Sequence, residues 1–119
     1  MNEQKDIQGV LDAVERYAEA GRKASRAIGE SAFTKDATMS WVEGGKIVTV
    51  PIPALYDVLE KTGEEEVSYM VEQVSLAGDV AFVRISSTFS KLASFNDLFT
   101  LARGAGGWKI ASKIYSVKA

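Results

Sequence analysis

The strongest constraint on this chain's fold is how little sequence separates the β-rich segments of its second half. Residues 67–76, 80–91, 95–103 and 108–117 all carry strand-forming runs, Val80-Ala81-Phe82-Val83 among them. The connections are short: Ala77-Gly78-Asp79 joins the first two segments and Gly104-Ala105-Gly106-Gly107 joins the last two. Parallel neighbours need a crossover of a dozen or more residues, and nothing between these segments supplies one. They therefore form an antiparallel meander.

The first half reads differently. In residues 7–21 the apolar side chains Ile7, Val10, Leu11, Val14, Tyr17 and Ala18 recur at helical spacing, with Asp12, Glu15, Arg16 and Glu19 on the other face. Gly21 is read as the stop. A second helix over 23–32 turns Ala24, Ala27 and Ile28 inward, and Phe33 anchors its exit. Residues 37–42 are extended, Glu43-Gly44-Gly45-Lys46 has hairpin chemistry, and Ile47, Val48 and Val50 return to Pro51. Pro53 opens a third helix over 53–62, with Leu55, Val58 and Leu59 inward and Gly63 closing it. Helices first and strands last define an α+β domain occupying residues 1–119, with about three helices packed on a curved antiparallel sheet.

Two missing residue types narrow the chemistry. Without cysteine there is no disulfide, thiolate nucleophile or cysteine-ligated zinc. Without histidine there is no serine–histidine–acid triad, and the commonest metal ligand is gone. No metal and no cofactor is expected. Fourteen basic and 16 acidic residues leave a net charge of -2, which gives no global field for nucleic acid or anionic lipid. Residues 1–6 are polar and no long apolar run follows, so neither a signal peptide nor a membrane span is expected, and the default location is cytoplasmic.

Asp97 is the leading candidate for function. On an extended strand it shares a face with Phe95, Phe99 and Leu101, and a carboxylate on an apolar face must be paired, hydrogen-bonded or protonated. It is either a general acid or base, or one half of a structural ion pair with Arg84 or Lys113, or a contact at a subunit interface. Tyr17, on the apolar face of the first helix, is either a hydrogen-bond donor to a ligand carbonyl or a core tyrosine. Phe33, Trp41, Tyr56, Tyr69, Arg84, Phe99 and Lys113 complete the expected pocket between helices and sheet, suited to a small apolar or aromatic ligand. Arg22, Lys23 and Arg26 read as a solvated face, and Glu64-Glu65-Glu66 as a charged turn. Apolar residues stand on both faces of the last strands: Val80 and Phe82 oppose Ala81, Val83 and Ile85, and Leu98 opposes Phe99. Both faces should then be covered, which predicts a two-fold homodimer through the sheet.

The order helix–helix–hairpin–helix–meander resembles the nuclear-transport-factor-2-like (cystatin-like, SnoaL-like) superfamily across nearly the whole chain. Phe33-Thr34-Lys35-Asp36-Ala37 resembles the element leaving the second helix in those proteins, and Gly78-Asp79-Val80-Ala81 resembles one of their hairpins. Phe95-Asn96-Asp97-Leu98-Phe99-Thr100-Leu101, then Gly107-Trp108-Lys109-Ile110 and Lys113-Ile114-Tyr115, are similar to the closing strands of the subgroup called "putative lumazine-binding". Thr34 stands where that subgroup often has histidine. Val14-Glu15-Arg16-Tyr17 resembles the ketosteroid isomerases, although Trp41 occupies the position of their catalytic base. The resemblance implies a cone-shaped fold, a dimer and a small-molecule-binding domain. The alternatives are a metal-free enzyme of proton transfer, isomerisation or dehydration using Asp97 and Tyr17, and a protein-interaction module.

Overall fold

The computed structural model describes residues 3–119; Met1 and Asn2, at the head of the polar stretch 1–6, lie outside the described residues. Its elements run α1 (Glu3–Lys23), α2 (Arg26–Ala32), β1 (Phe33–Glu43), β2 (Lys46–Pro51), α3 (Pro53–Thr62), β3 (Val67–Ala77), β4 (Val80–Phe89), β5 (Ala93–Gly104) and β6 (Gly107–Val117). The six strands form one open sheet in the order β2-β1-β6-β5-β4-β3. The meander β3 to β6 is antiparallel throughout, as the short turns require. One pair departs from the expected antiparallel sheet: β1 and β6 run parallel. The chain between them holds β2, α3 and three further strands, ample for a crossover.

The helices cover one face of the sheet. Val10, Ala13, Val14 and Tyr17 of α1 are buried against a core that includes Val83, Ile85, Phe99, Leu101 and Ile110. Each such aliphatic side chain contributes roughly 1.5–3 kcal/mol when taken fully out of water. Along β4 burial alternates strictly, with Ala81, Val83, Ile85, Ser87 and Phe89 buried. Among the described residues no helix is long and apolar enough to cross a membrane.

Helix boundaries differ from the sequence reading. Gly21 does not stop α1; it is buried inside the helix because a Cβ there would sit 2.6 Å from the Phe89 ring. The chain turns three residues later, at Ala24, which takes the left-handed φ of 50°. Ser25 then caps α2, its Oγ accepting from the Ile28 N–H at 3.1 Å. Ala24 is thus a turn residue and Ala27 is exposed; Gly29 and Ala32 make the buried side of α2. Gly29 is tight for the same reason as Gly21, here against the Tyr56 ring. On α3, Leu55, Tyr56 and Leu59 are buried, whereas Val58, expected inward, is 43% exposed.

Bulges in β6 and β3 reset which residues face the helices. In β6, Ser112 pairs with Thr100 but Ile110 pairs with Leu101, so Ala111 is an extra residue. Before the bulge the even positions Trp108 and Ile110 are buried; after it Lys113 is buried and Ile114 is exposed. In β3, Val71 pairs with Ile85 and Gln73 with Arg84, leaving Glu72 as the extra residue. A one-residue slip exchanges the two faces of a strand.

Candidate functional site

Asp97 has no exposed surface. In the β4–β5–β6 register it lies directly across from Ile85 and Tyr115. Its carboxylate reaches the diagonal neighbours on both flanking strands. Ser87 Oγ donates to Oδ2 at 2.7 Å, and Lys113 Nζ stands 3.1 Å from Oδ1. The lysine contact is a close, buried ion pair. Of the two partners expected from sequence, Lys113 is the one that Asp97 meets. Arg84 is on the outer face, half-exposed, with Nε 3.3 Å from Glu72 Oε1. Alternation explains it: Arg84 pairs with Leu98, one residue out of phase with Asp97.

Lys113 is 96% buried, yet its ammonium is surrounded mainly by aromatic faces. Nζ is 4.1 Å from the Tyr115 ring centroid, 5.7 Å from that of Tyr17 and 5.9 Å from that of Phe95. Burial pulls this ammonium below the ordinary lysine range, with the Asp97 charge opposing the shift. Burial pushes the Tyr17 hydroxyl well above the ordinary range, helped by the charge of Asp97. The Tyr17 ring also packs edge-on against Phe33, Phe89 and Phe99.

Tyr17 and Lys113 line a cavity of about 80 Å³. Met39, Leu55, Leu59, Phe89, Phe95 and Tyr115 complete the lining together with Val58 and Leu92. Val58 and Leu92 are each 43% exposed, so the opening passes between α3 and the β4–β5 turn. Among the described residues, Lys113 brings the only charged group to the lining. Asp97 lies behind Lys113 rather than on the wall.

The other expected pocket residues are dispersed. Phe99 is fully buried beneath Tyr17. Phe33 and Tyr56 line a separate surface hollow with Ile52 and Pro53. Trp41 packs on the outer side of Tyr115 at 5.7 Å without entering the lining, and donates from Nε1 to Glu43 at 3.0 Å. Tyr69 donates its hydroxyl to Glu15 at 2.7 Å on the rim of α1. Arg22 pairs with Glu15 and Glu19, and Arg26 with Asp57 and Glu60, so both belong to paired surface networks. Glu65 is buried and accepts from the Lys91 N–H at 2.7 Å, holding the β4–β5 turn. Tyr115 and Met39 were missed as lining residues. The signal for Tyr115 lay in its two-residue spacing from Lys113, and Met39 pairs with Lys113 across the parallel strands.

The chain matches the family model described as "Putative lumazine-binding" over residues 5–116. Its backbone is similar to an NTF2-like protein of unknown function from Shewanella baltica OS155, with a TM-score of 0.91 and 26% identity over 100% of this chain and 98% of that one. It is similar also to an NTF2-like protein of unknown function from Methylobacillus flagellatus KT, with a TM-score of 0.86 and 29% identity over 97% and 94% of the two chains. A more distant likeness is to a "putative ketosteroid isomerase" from Shewanella frigidimarina NCIMB 400, with a TM-score of 0.68 and 17% identity over 91% and 94%. No curated protein matches the chain.

Proposed function

The chain belongs to the family described as "Putative lumazine-binding", on a nuclear-transport-factor-2-like fold, and from that premise we propose that its cavity binds the end of a small apolar molecule through one oxygen acceptor. The observation that carries this reading is the Lys113 ammonium, buried on the wall of an otherwise apolar cavity, where the contact with Asp97 Oδ1 engages at most one of its three donors. An ammonium has three donors and no acceptor, so it selects a carbonyl, carboxylate or phenolate oxygen. The aromatic and aliphatic walls favour an apolar body on that oxygen.

Size limits the ligand. A dry cavity of roughly 150 Å³ accommodates benzene, and the one here is about 80 Å³. A two-ring heterocycle such as lumazine is therefore not enclosed; only an edge enters, with the remainder lying across Val58 and Leu92. Asp97 acts on the ligand through Lys113, by fixing the position and charge of the ammonium.

Amide-resolved NMR titration tests this with cyclopentanone and its carbonyl-free counterpart cyclopentane. Cyclopentanone is expected to shift Tyr17, Lys113 and Tyr115 and to bind more tightly than cyclopentane. No perturbation of these residues by either compound, or equal binding of the two, overturns the reading.

A further inference from the structure

We propose that Lys113 is an amine nucleophile that forms an imine with small aldehydes and unhindered ketones entering the cavity. This rests on the binding reading above and deepens it, because a carbonyl oxygen drawn to Nζ brings its carbon within reach of the same nitrogen. Three features of the site support the chemistry. Lys113 lines the cavity, and its Nζ lies over the rings of Tyr17, Phe95 and Tyr115, which line it too, so an entering substrate meets the nitrogen. Asp97 Oδ1, 3.1 Å away, is placed to take and return a proton. The surroundings are dry and aromatic, which favours loss of the ammonium proton and slows hydrolysis of the product.

The step balances without any further reactant. Asp97 takes one proton from the Lys113 ammonium, leaving a neutral amine. The nitrogen lone pair attacks the carbonyl carbon, the C=O π pair moves to oxygen, and a proton passes from nitrogen to that oxygen to give a carbinolamine. Asp97 then returns its proton to the nitrogen, which passes one proton to the hydroxyl; the C–O bond breaks, water departs, and the nitrogen lone pair forms the C=N bond. Ammonium and carbonyl become iminium and water, and the charge of +1 is unchanged. The iminium remains over the Tyr115 face and beside the Asp97 carboxylate, in the electrostatic setting of the original ammonium. The cavity volume confines the class to carbonyl compounds with few non-hydrogen atoms beyond the carbonyl.

The test is reductive trapping of the intact protein with acetaldehyde and cyanoborohydride, read by peptide mass mapping across a pH series. Ethylation of Lys113 is expected to exceed that of exposed Lys46 and Lys61 several-fold near neutral pH, because burial favours its neutral amine. Its rate should also persist to lower pH than theirs. Val58→Trp, which plugs the mouth, should abolish labelling at Lys113 and leave the surface lysines unchanged. Acetamide, which cannot form an imine, separates the two readings by NMR. If acetamide perturbs Tyr17 and Tyr115 while Lys113 is the slowest lysine to label, the imine proposal falls and the binding reading stands. If acetamide leaves the cavity residues unmoved and Lys113 stays unlabelled, both fall.

Discussion

Asp97 and Lys113 face each other diagonally across β5 and β6, 3.1 Å apart, with 0% and 4% of their side chains exposed. Such a pair contributes little net stability, because desolvation offsets the attraction, but removing one partner strands a charge. Lys113→Met alone should therefore destabilise the fold by about 3–5 kcal/mol, and Asp97→Leu alone by a similar amount. The double variant should cost clearly less than the sum. Urea unfolding in a double-mutant cycle measures this; additive single costs would show that the two groups are not coupled.

Stability should peak near pH 10 and fall steeply above it. Lys113 titrates below the ordinary 10.5 in the folded chain, so in that window the unfolded chain holds more protons and stability rises with pH. Tyrosines act in the opposite sense. Tyr56 and Tyr69 are pushed from 10.0 up to about 12 by burial, and Tyr17 well above 10.0. Above pH 10 the folded chain holds the extra protons, so the stability these groups contribute is present below 10 and lost on the way to 12. Urea midpoints at a series of pH values should show the fall, and Tyr69→Phe should make it shallower. A midpoint constant from pH 10 to 12 would contradict the assignment.

The end of α1 offers two substitutions of opposite sign. Gly21→Ala gains up to about 1 kcal/mol of helix propensity but drives a methyl against the Phe89 ring. Overpacking costs typically 1–3 kcal/mol, and Phe89 is held by Tyr17 and Phe95, so a net loss of about 1 kcal/mol is expected. Ala24→Gly relieves a left-handed φ of 50°. Its steric gain of roughly 1–2 kcal/mol, less the greater entropy of the unfolded glycine, leaves a stabilisation of about 0.5 kcal/mol. Denaturant midpoints measure both; a stabilising Gly21→Ala would show that the Phe89 ring gives way freely.

The fold was legible because its signals are local. Turn glycines, the two prolines and the change from helical to strand periodicity each fix a boundary without long-range information. The site was legible only in part. Asp97 and Lys113 stand out as charges on strands rich in apolar residues, but their contact depends on the bulge at Ala111, which no short motif announces. Extending the Trp108 and Ile110 alternation would put Lys113 outside and Ile114 inside, the reverse of what is found. Trp41, Tyr56 and Tyr69 have the composition of a pocket wall; strand order and helix placement disperse them.

The outer face of the sheet motivates the last prediction. One row across it runs Ser40, Ile114, Leu98 and Arg84, and the next runs Thr38, Ser112, Thr100 and Phe82. Hydroxyl pairs such as Thr100–Ser112 at 2.6 Å and Ser40–Thr49 at 2.9 Å each share one hydrogen bond within the pair. Leu98, Ile114 and Phe82 are left as a partly exposed apolar strip among short hydroxyl side chains. We propose that two copies pack face to face over this strip, burying on the order of 800 Å² each as a specific interface requires. Sedimentation velocity at micromolar concentration should then give a dimer. Ile114→Arg should give a folded monomer, because the new charge would be buried opposite its own symmetry mate, whereas in the isolated chain that position is open to solvent. A monomer mass for the unaltered protein would sink the proposal, and a dimer that survives Ile114→Arg would move the interface elsewhere.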